Sequence, residues 1–186
     1  SHSWTVDTTD PAAPVITSPA DGTHTSDTTP TVSGTAEANS TVSVYDDVTL
    51  LGTATADGSG NWSFTPAAPL ATGSHFFAAT ATDAAGNEGA SSNQVEVTID
   101  TTAPATTIDS APPADDDDTT PTFTFSSDEP GSTFVCRVDG RPFRPCVSPH
   151  TTPALADGSH VFYVKAIDAP GNESPIVSRS FTVQAP

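Results

Sequence analysis

Two sets of carboxylates recur along the chain. Asp7, Glu37 and Asp83 in the first half are matched by Asp100, Glu129 and Asp168 in the second. A single aspartate in such a position is most simply a turn former, because its side chain accepts hydrogen bonds from nearby backbone amides. Three carboxylates brought to one place are different, since they repel one another strongly unless a cation sits among them. A hard dication suits such a set. Ca²⁺ takes six to eight oxygens, tolerates irregular loops, and draws its remaining ligands from carbonyls and water.

Other residues that could do chemistry carry plainer readings. His75 and His160 occupy equivalent places in the repeat, which suits a structural role better than a duplicated catalytic one. No nucleophile elbow, His-Glu metalloprotease pattern or phosphate loop is present. Cys136 and Cys146 lie ten residues apart among Arg137, Arg141 and Arg144. Two cysteines without further partners make a poor zinc site, which leaves a disulfide hairpin or two free thiols. Lys165 falls on a strand, an unpromising position for an isopeptide bond. Trp62 reads as core.

What would position the carboxylates is an internal repeat. Gly73-Ser74-His75 recurs as Gly158-Ser159-His160, and Asp83-Ala84-Ala85-Gly86-Asn87-Glu88 as Asp168-Ala169-Pro170-Gly171-Asn172-Glu173. Asp27-Thr28-Thr29-Pro30 recurs at Asp118, and Asp7-Thr8-Thr9 at Asp100. The offsets of 85 to 93 residues define two modules, 7–99 and 100–186. Residues 1–6 read as the last strand, or its remnant, of a preceding module, so the chain is expected to come from a longer array.

Period-2 alternation between turn signals sets out seven short strands in the first module. They begin near Pro14, Pro30, Thr41, Leu50, Asn61, His75 and Gln94. The second module repeats the plan with more phenylalanine and a tight hairpin, 134–138 and 143–146, turning at Asp139-Gly140. Such spacing predicts an all-β chain of two Greek-key sandwiches. In that topology the loops after strands two, four and six share one pole with the incoming linker. Asp7 and Asp10, Glu37, Asp57, and Asp83 with Asn87 are placed there in the first module. Asp100, Asp128 with Glu129, and Asp168 with Asn172 are placed there in the second. Asp21 is a lesser candidate, and the Asp115–Asp118 run reads as a solvated charge cluster at the opposite pole.

Charge narrows the function classes. The chain has 23 acidic and 5 basic residues, a net charge of −18. Residues 1–99 have no Lys or Arg; eight Asp and three Glu make that half −11. With no basic face to neutralise phosphates, nucleic-acid binding and attachment to an anionic membrane surface are excluded as expectations. No apolar run nears the roughly 20 residues needed to span a bilayer, so membrane insertion is not expected either. Gly and Pro number 12 and 18 of 186, below the proportion typical of low-complexity disorder.

The first module resembles the bacterial immunoglobulin-like (Big) domains found in tandem in large surface adhesins. The resemblance rests on Asp7-Thr8-Thr9, Ser33-Gly34-Thr35-Ala36-Glu37, Gly60-Asn61-Trp62-Ser63-Phe64, Leu70 to His75, and Ala81 to Asn87. The second module resembles a divergent relative, best in its Asp-Thr-Thr linker and its Asp168–Asn172 loop. The resemblance implies a non-catalytic, extracellular or cell-surface chain whose partners are neighbouring modules of the same polypeptide. It also implies Ca²⁺ at module junctions, and a monomer is expected. In an extracellular setting Cys136 and Cys146 are expected to pair. The alternatives are a module that itself binds a glycan or host protein, or an accessory module of a secreted polysaccharide-active enzyme. Trp4 and Tyr45 are weak glycan candidates; the Arg137, Arg141 and Arg144 hairpin is the better one, unless those arginines pair with neighbouring acids.

Overall fold

The computed structural model describes residues 6–184, which leaves the expected remnant strand, apart from Val6, and Trp4 outside the described residues. The chain divides into two compact units between Thr101 and Thr102. All regular structure among the described residues is β.

The first unit has eight strands: β1 Val15–Ser18, β2 Thr23–Thr25, β3 Val32–Thr35, β4 Thr41–Asp46, β5 Thr49–Thr55, β6 Asn61–Phe64, β7 Gly73–Thr82 and β8 Val95–Ile99. They form a three-stranded sheet, β1-β3-β6, and a five-stranded sheet, β2-β8-β7-β4-β5. Alternation drives the packing. Phe77, Ala79 and Ala81 of β7 are buried, as are Val95, Val97 and Ile99 of β8 and Val42 and Val44 of β4. Ile16, Val32 and Trp62 from the other sheet complete one continuous core. The result is a sandwich, with apolar faces inward and threonine- and serine-rich faces outward.

The second unit repeats this order with β9 Thr106–Ser110, β10 Asp115–Asp116, β11 Thr122–Ser127, β12 Thr133–Val138, β13 Arg144–Cys146, β14 His150–Thr151, β15 Gly158–Ile167 and β16 Val177–Val183. Its sheets are β14-β11-β9 and β10-β16-β15-β12-β13. Phe162, Val164 and Ala166 of β15 are buried where β7 buries Phe77, Ala79 and Ala81. Phenylalanine replaces tryptophan as the bulk of this core. The Phe123 ring stacks on Phe162 at 4.1 Å between centroids and meets Phe181 edge-on at 5.4 Å. Cys136 and Cys146 form a disulfide across the β12–β13 hairpin.

Each unit holds one strand beyond the seven expected. Thr23–Thr25 pairs in parallel with Val97–Ile99, and Asp115–Asp116 with Thr182–Val183. In the Asp115–Asp118 run, Asp115, Asp117 and Asp118 are exposed, while the backbone of its first two residues extends a sheet edge. Both strands are short and wholly polar in sequence, Thr-His-Thr and Asp-Asp, so no apolar alternation marks them.

Candidate cation site

The loop after β7 shows how the repeat builds its acidic corner. Asp83 Oδ1 accepts hydrogen bonds from the backbone N–H of Ala85 at 2.8 Å and of Asn87 at 2.9 Å. Its Oδ2 accepts one from the Asn87 side-chain amide at 2.8 Å. Gly86 supplies the left-handed backbone, φ +95°, that folds the loop back. These donors, the Asn87 side chain foremost, hold the Asp83 carboxyl below its usual range against a smaller opposing effect of desolvation. Asn87 also donates to the main-chain carbonyl of Asp7 at 3.3 Å, tying the loop to the incoming segment.

Glu37 belongs to the loop after β3. Its main-chain carbonyl accepts from the Ser40 N–H at 3.1 Å and hydroxyl at 2.7 Å, and Ser40 is buried. The charged side chain is not needed for that turn. Asp7, Glu37 and Asp83 line one cleft of about 500 Å³, with Asn39, Ser40 and Ala85. Among the described residues of this unit, no three His, Cys, Asp or Glu side chains bring ligand atoms within 4.8 Å of one another. The trio thus lines one open cleft, but its three carboxylates do not all gather within 4.8 Å of one another.

Asp57 and Asp21 have other work. Asp57 Oδ1 accepts from the N–H of Ser59 and of Asn61, closing the β5–β6 turn, and these bonds, led by Asn61, lower its pKa. Asp21 Oδ1 accepts from the Glu96 N–H at 2.8 Å, next to the β2–β8 pairing. Neither lines the cleft.

In the second unit the loop after β15 is the same device. Asp168 Oδ1 accepts from the N–H of Gly171 at 2.7 Å and of Asn172 at 2.6 Å, and Oδ2 from the Asn172 side chain at 2.8 Å. Asp168 is buried, 8% exposed. Glu129 repeats Glu37, its carbonyl accepting from the Ser132 hydroxyl at 2.9 Å. Carboxylate oxygens of Glu129 and Asp168 lie within 4.8 Å of each other. Asp128 turns away from this role, accepting from the Ala105 N–H at 2.7 Å. Asp100 falls at the end of the first unit, where its N–H donates to Thr25.

The histidines are structural. His75 Nδ1 lies 2.6 Å from Asp46 Oδ2, and His160 Nδ1 lies 2.8 Å from Asp139 Oδ2. The sequence reading missed both aspartates. A signal was available, because Asp46 and Asp139 stand 93 residues apart, as Asp7 and Asp100 do.

Residues 16–101 match the family model described as bacterial Ig-like domain. These residues belong to the bacterial Ig-like domain family. No curated protein sequence matches the chain. Among solved structures, the fibronectin(III)-like modules of Clostridium thermocellum CbhA are similar at a TM-score of 0.56 and 20% identity, over 92% of this chain and 94% of that one. This likeness concerns fold. The tetra-tandem repeat in the extending region of a large adhesion protein matches at a TM-score of 0.39 and 21% identity over 94% of this chain. The BSP domain of a biofilm associated protein matches at 0.36 and 20% over 93%. The chain spans 50% and 29% of the length of those two. The second unit repeats the strand order of the bacterial Ig-like domain before it, in keeping with the internal repeat.

Proposed function

We propose that the chain is a non-catalytic extracellular spacer, two bacterial Ig-like modules of a surface adhesin stiffened by Ca²⁺ where modules join. The observation that carries this reading is the shared cleft of Asp7, Glu37 and Asp83. Asp7 lies in the segment entering the module, while Glu37 and Asp83 belong to its body. An ion held by all three fixes that segment and removes hinge freedom. The repeat assigns Asp100, Glu129 and Asp168 the same task for the second module.

The donor set fits the ion. It offers only oxygen, from carboxylates and loop carbonyls, as a hard cation requires. Asp83 spends three of the roughly four acceptor sites of a carboxylate on its own loop, leaving one for a monodentate contact. The net charge of −18 also concentrates dications near the surface.

Calorimetry with millimolar CaCl₂ tests the reading, alongside scattering and melting with and without EDTA. The expected affinity is about 10⁻⁴–10⁻³ M, usual for extracellular modules. Glu37→Gln should weaken one site while keeping the Ser40 hydrogen bonds, which use the main-chain carbonyl. Absence of binding heat, with scattering and melting indifferent to EDTA, overturns it.

A further inference from the structure

The second unit collects all five basic residues of the chain, and three of them stand on one hairpin. Among the described residues, none of Arg137, Arg141 and Arg144 forms an ion pair; the ion pairs are His75–Asp46, His160–Asp139 and Lys165–Glu173. The alternative in which these arginines pair with neighbouring acids thus finds no ion pair at Arg137, Arg141 or Arg144. In a chain with 23 acidic residues, three guanidinium groups without an ion pair stand on one hairpin, although the Arg141 charge does help to lower the Asp139 carboxyl.

The hairpin is cross-linked and has a cleft. The disulfide links Cys136 to Cys146. The Arg137 guanidinium lies between the rings of Phe143 and Tyr163, 4.7 and 4.6 Å from their centroids, and its buried Nε has no hydrogen-bond partner. A cleft of about 380 Å³ is lined by Cys136, Arg141, Pro142, Arg144, Pro145 and His150. That size and mixed lining are ordinary for a small-ligand site, with apolar walls and a few polar groups that set orientation. Arg141 and Arg144 are exposed at this cleft, free to offer planar donor forks to a planar carboxylate. The rings of Pro142 and Pro145 are stiff apolar walls, suited to the C–H face of a sugar ring.

We infer that this cleft is a binding site for a uronate-bearing oligosaccharide, its carboxylate taken by Arg141 and Arg144. A peptide strand is the poorer occupant. The outer strand here is β13, three residues long, and Pro145 at its centre has no N–H to offer an added strand. The acidity of the rest of the chain limits contact to a short anionic segment, because a long polyanion would be repelled beyond the hairpin. The inference stands apart from the spacer reading, since it needs no cation.

The test is calorimetric titration of the whole chain with tetragalacturonate at low ionic strength in EDTA, which removes any bridging Ca²⁺. Binding is expected, weakened at least tenfold in the Arg141→Ser/Arg144→Ser variant, with an unchanged melting temperature showing that the variant is folded. A neutral tetrasaccharide should not bind. The inference is overturned if tetragalacturonate does not bind, if the double variant binds equally well, or if the neutral sugar binds as tightly. A tetra-aspartate peptide matching the uronate would reassign the site to acidic peptides. A sulfated oligosaccharide binding in clear preference would overturn the carboxylate assignment.

Discussion

His75 and Asp46 are joined twice over: Nδ1 lies 2.6 Å from Oδ2, and the next residue, Phe76, donates its N–H to Oδ1 at 3.0 Å. The other ring nitrogen, Nε2, faces the carbonyl of Ala71 at 2.9 Å. Both nitrogens therefore meet acceptors, and only the imidazolium can donate to both. His160 repeats the arrangement with Asp139, Val161 and Ala156. The pair pins the start of the long strand to the end of the strand beside it, once in each unit.

The first prediction concerns pH. Burial pushes the His75 pKa down, but hydrogen bonds to Asp46 and Ala71 and the charges of Asp46 and Asp47 carry it above 6.5. The Ala156 carbonyl and then Asp139 raise His160, against burial and the Arg141 charge. Burial raises Asp139, but its bonds to His160 and Val161 bring it below 3.8. A raised histidine contributes its stability in full below 6.5 and loses it as pH climbs through the folded pKa; the lowered aspartate contributes above 3.8 and loses it as pH falls. The His160–Asp139 pair thus stabilises most between these limits, and His75 contributes in full below 6.5. Melting temperatures should fall from about pH 5 to about pH 8. In His75→Ala/His160→Ala this slope should flatten, with about 1–3 kcal/mol lost per unit at the acid end. Equal slopes in parent and variant would show that the histidines do not titrate with folding.

The disulfide should matter to one unit only. Closing a ten-residue separation is worth about 2–3 kcal/mol in the chain-entropy account. Reduction, or Cys136→Ser/Cys146→Ser, should lower the melting transition of the second unit by several degrees per kcal/mol. The transition of the first unit, which contains no cysteine, should stay in place. Calorimetry with and without reductant decides this.

How far the sequence could be read follows from which atoms do the work. The alternation of Phe77, Ala79 and Ala81, and of Val95, Val97 and Ile99, is visible in the chain because side chains make the core. The short strands at Thr23 and Asp115 were not legible, because only their backbones pair. The repeat pointed to Asp7, Glu37 and Asp83 as neighbours, and they line one cleft, but how far apart their carboxylates stand there depends on side-chain placement that sequence spacing does not carry. The loop-building role of Asp83 was legible only in part, as turn chemistry, because its strongest donor is the Asn87 side chain. Asp46 was hidden by distance: its partner lies 29 residues on, and Asp46-Asp47 resembles an ordinary turn.

Core truncation should separate the units. Phe162 is fully buried, stacked on Phe123 in the second core, and Phe77 is fully buried in the first. Phe→Ala in such a site typically costs about 3–5 kcal/mol. Phe162→Ala should unfold the second unit at a lower temperature, while tryptophan fluorescence barely changes. Both tryptophans, at positions 4 and 62, precede the unit boundary. Phe77→Ala should do the reverse, moving the fluorescence transition and leaving the second unit alone.

The last prediction uses glycine to distinguish conformational from steric cost. Gly86 has φ +95° and Gly171 φ +97°, and a Cβ added to either meets no atom within 4 Å. Gly86→Ala and Gly171→Ala should therefore pay only for the left-handed backbone, about 1–2 kcal/mol each. Gly34 on β3 is the opposite case. Its φ is not left-handed, but an added Cβ would fall on the carbonyl oxygen of Val15 on the neighbouring strand. Main-chain oxygen cannot swing aside as a side chain can, so β1 must separate from β3. Gly34→Ala should accordingly cost more than either loop substitution and expose Trp62, which lies opposite Gly34 on β6. A red-shifted tryptophan emission in Gly34→Ala alone, with denaturant midpoints in the order Gly86→Ala above Gly34→Ala, is the expected result. The reverse order would mean that the strand pairing yields more easily than the loop.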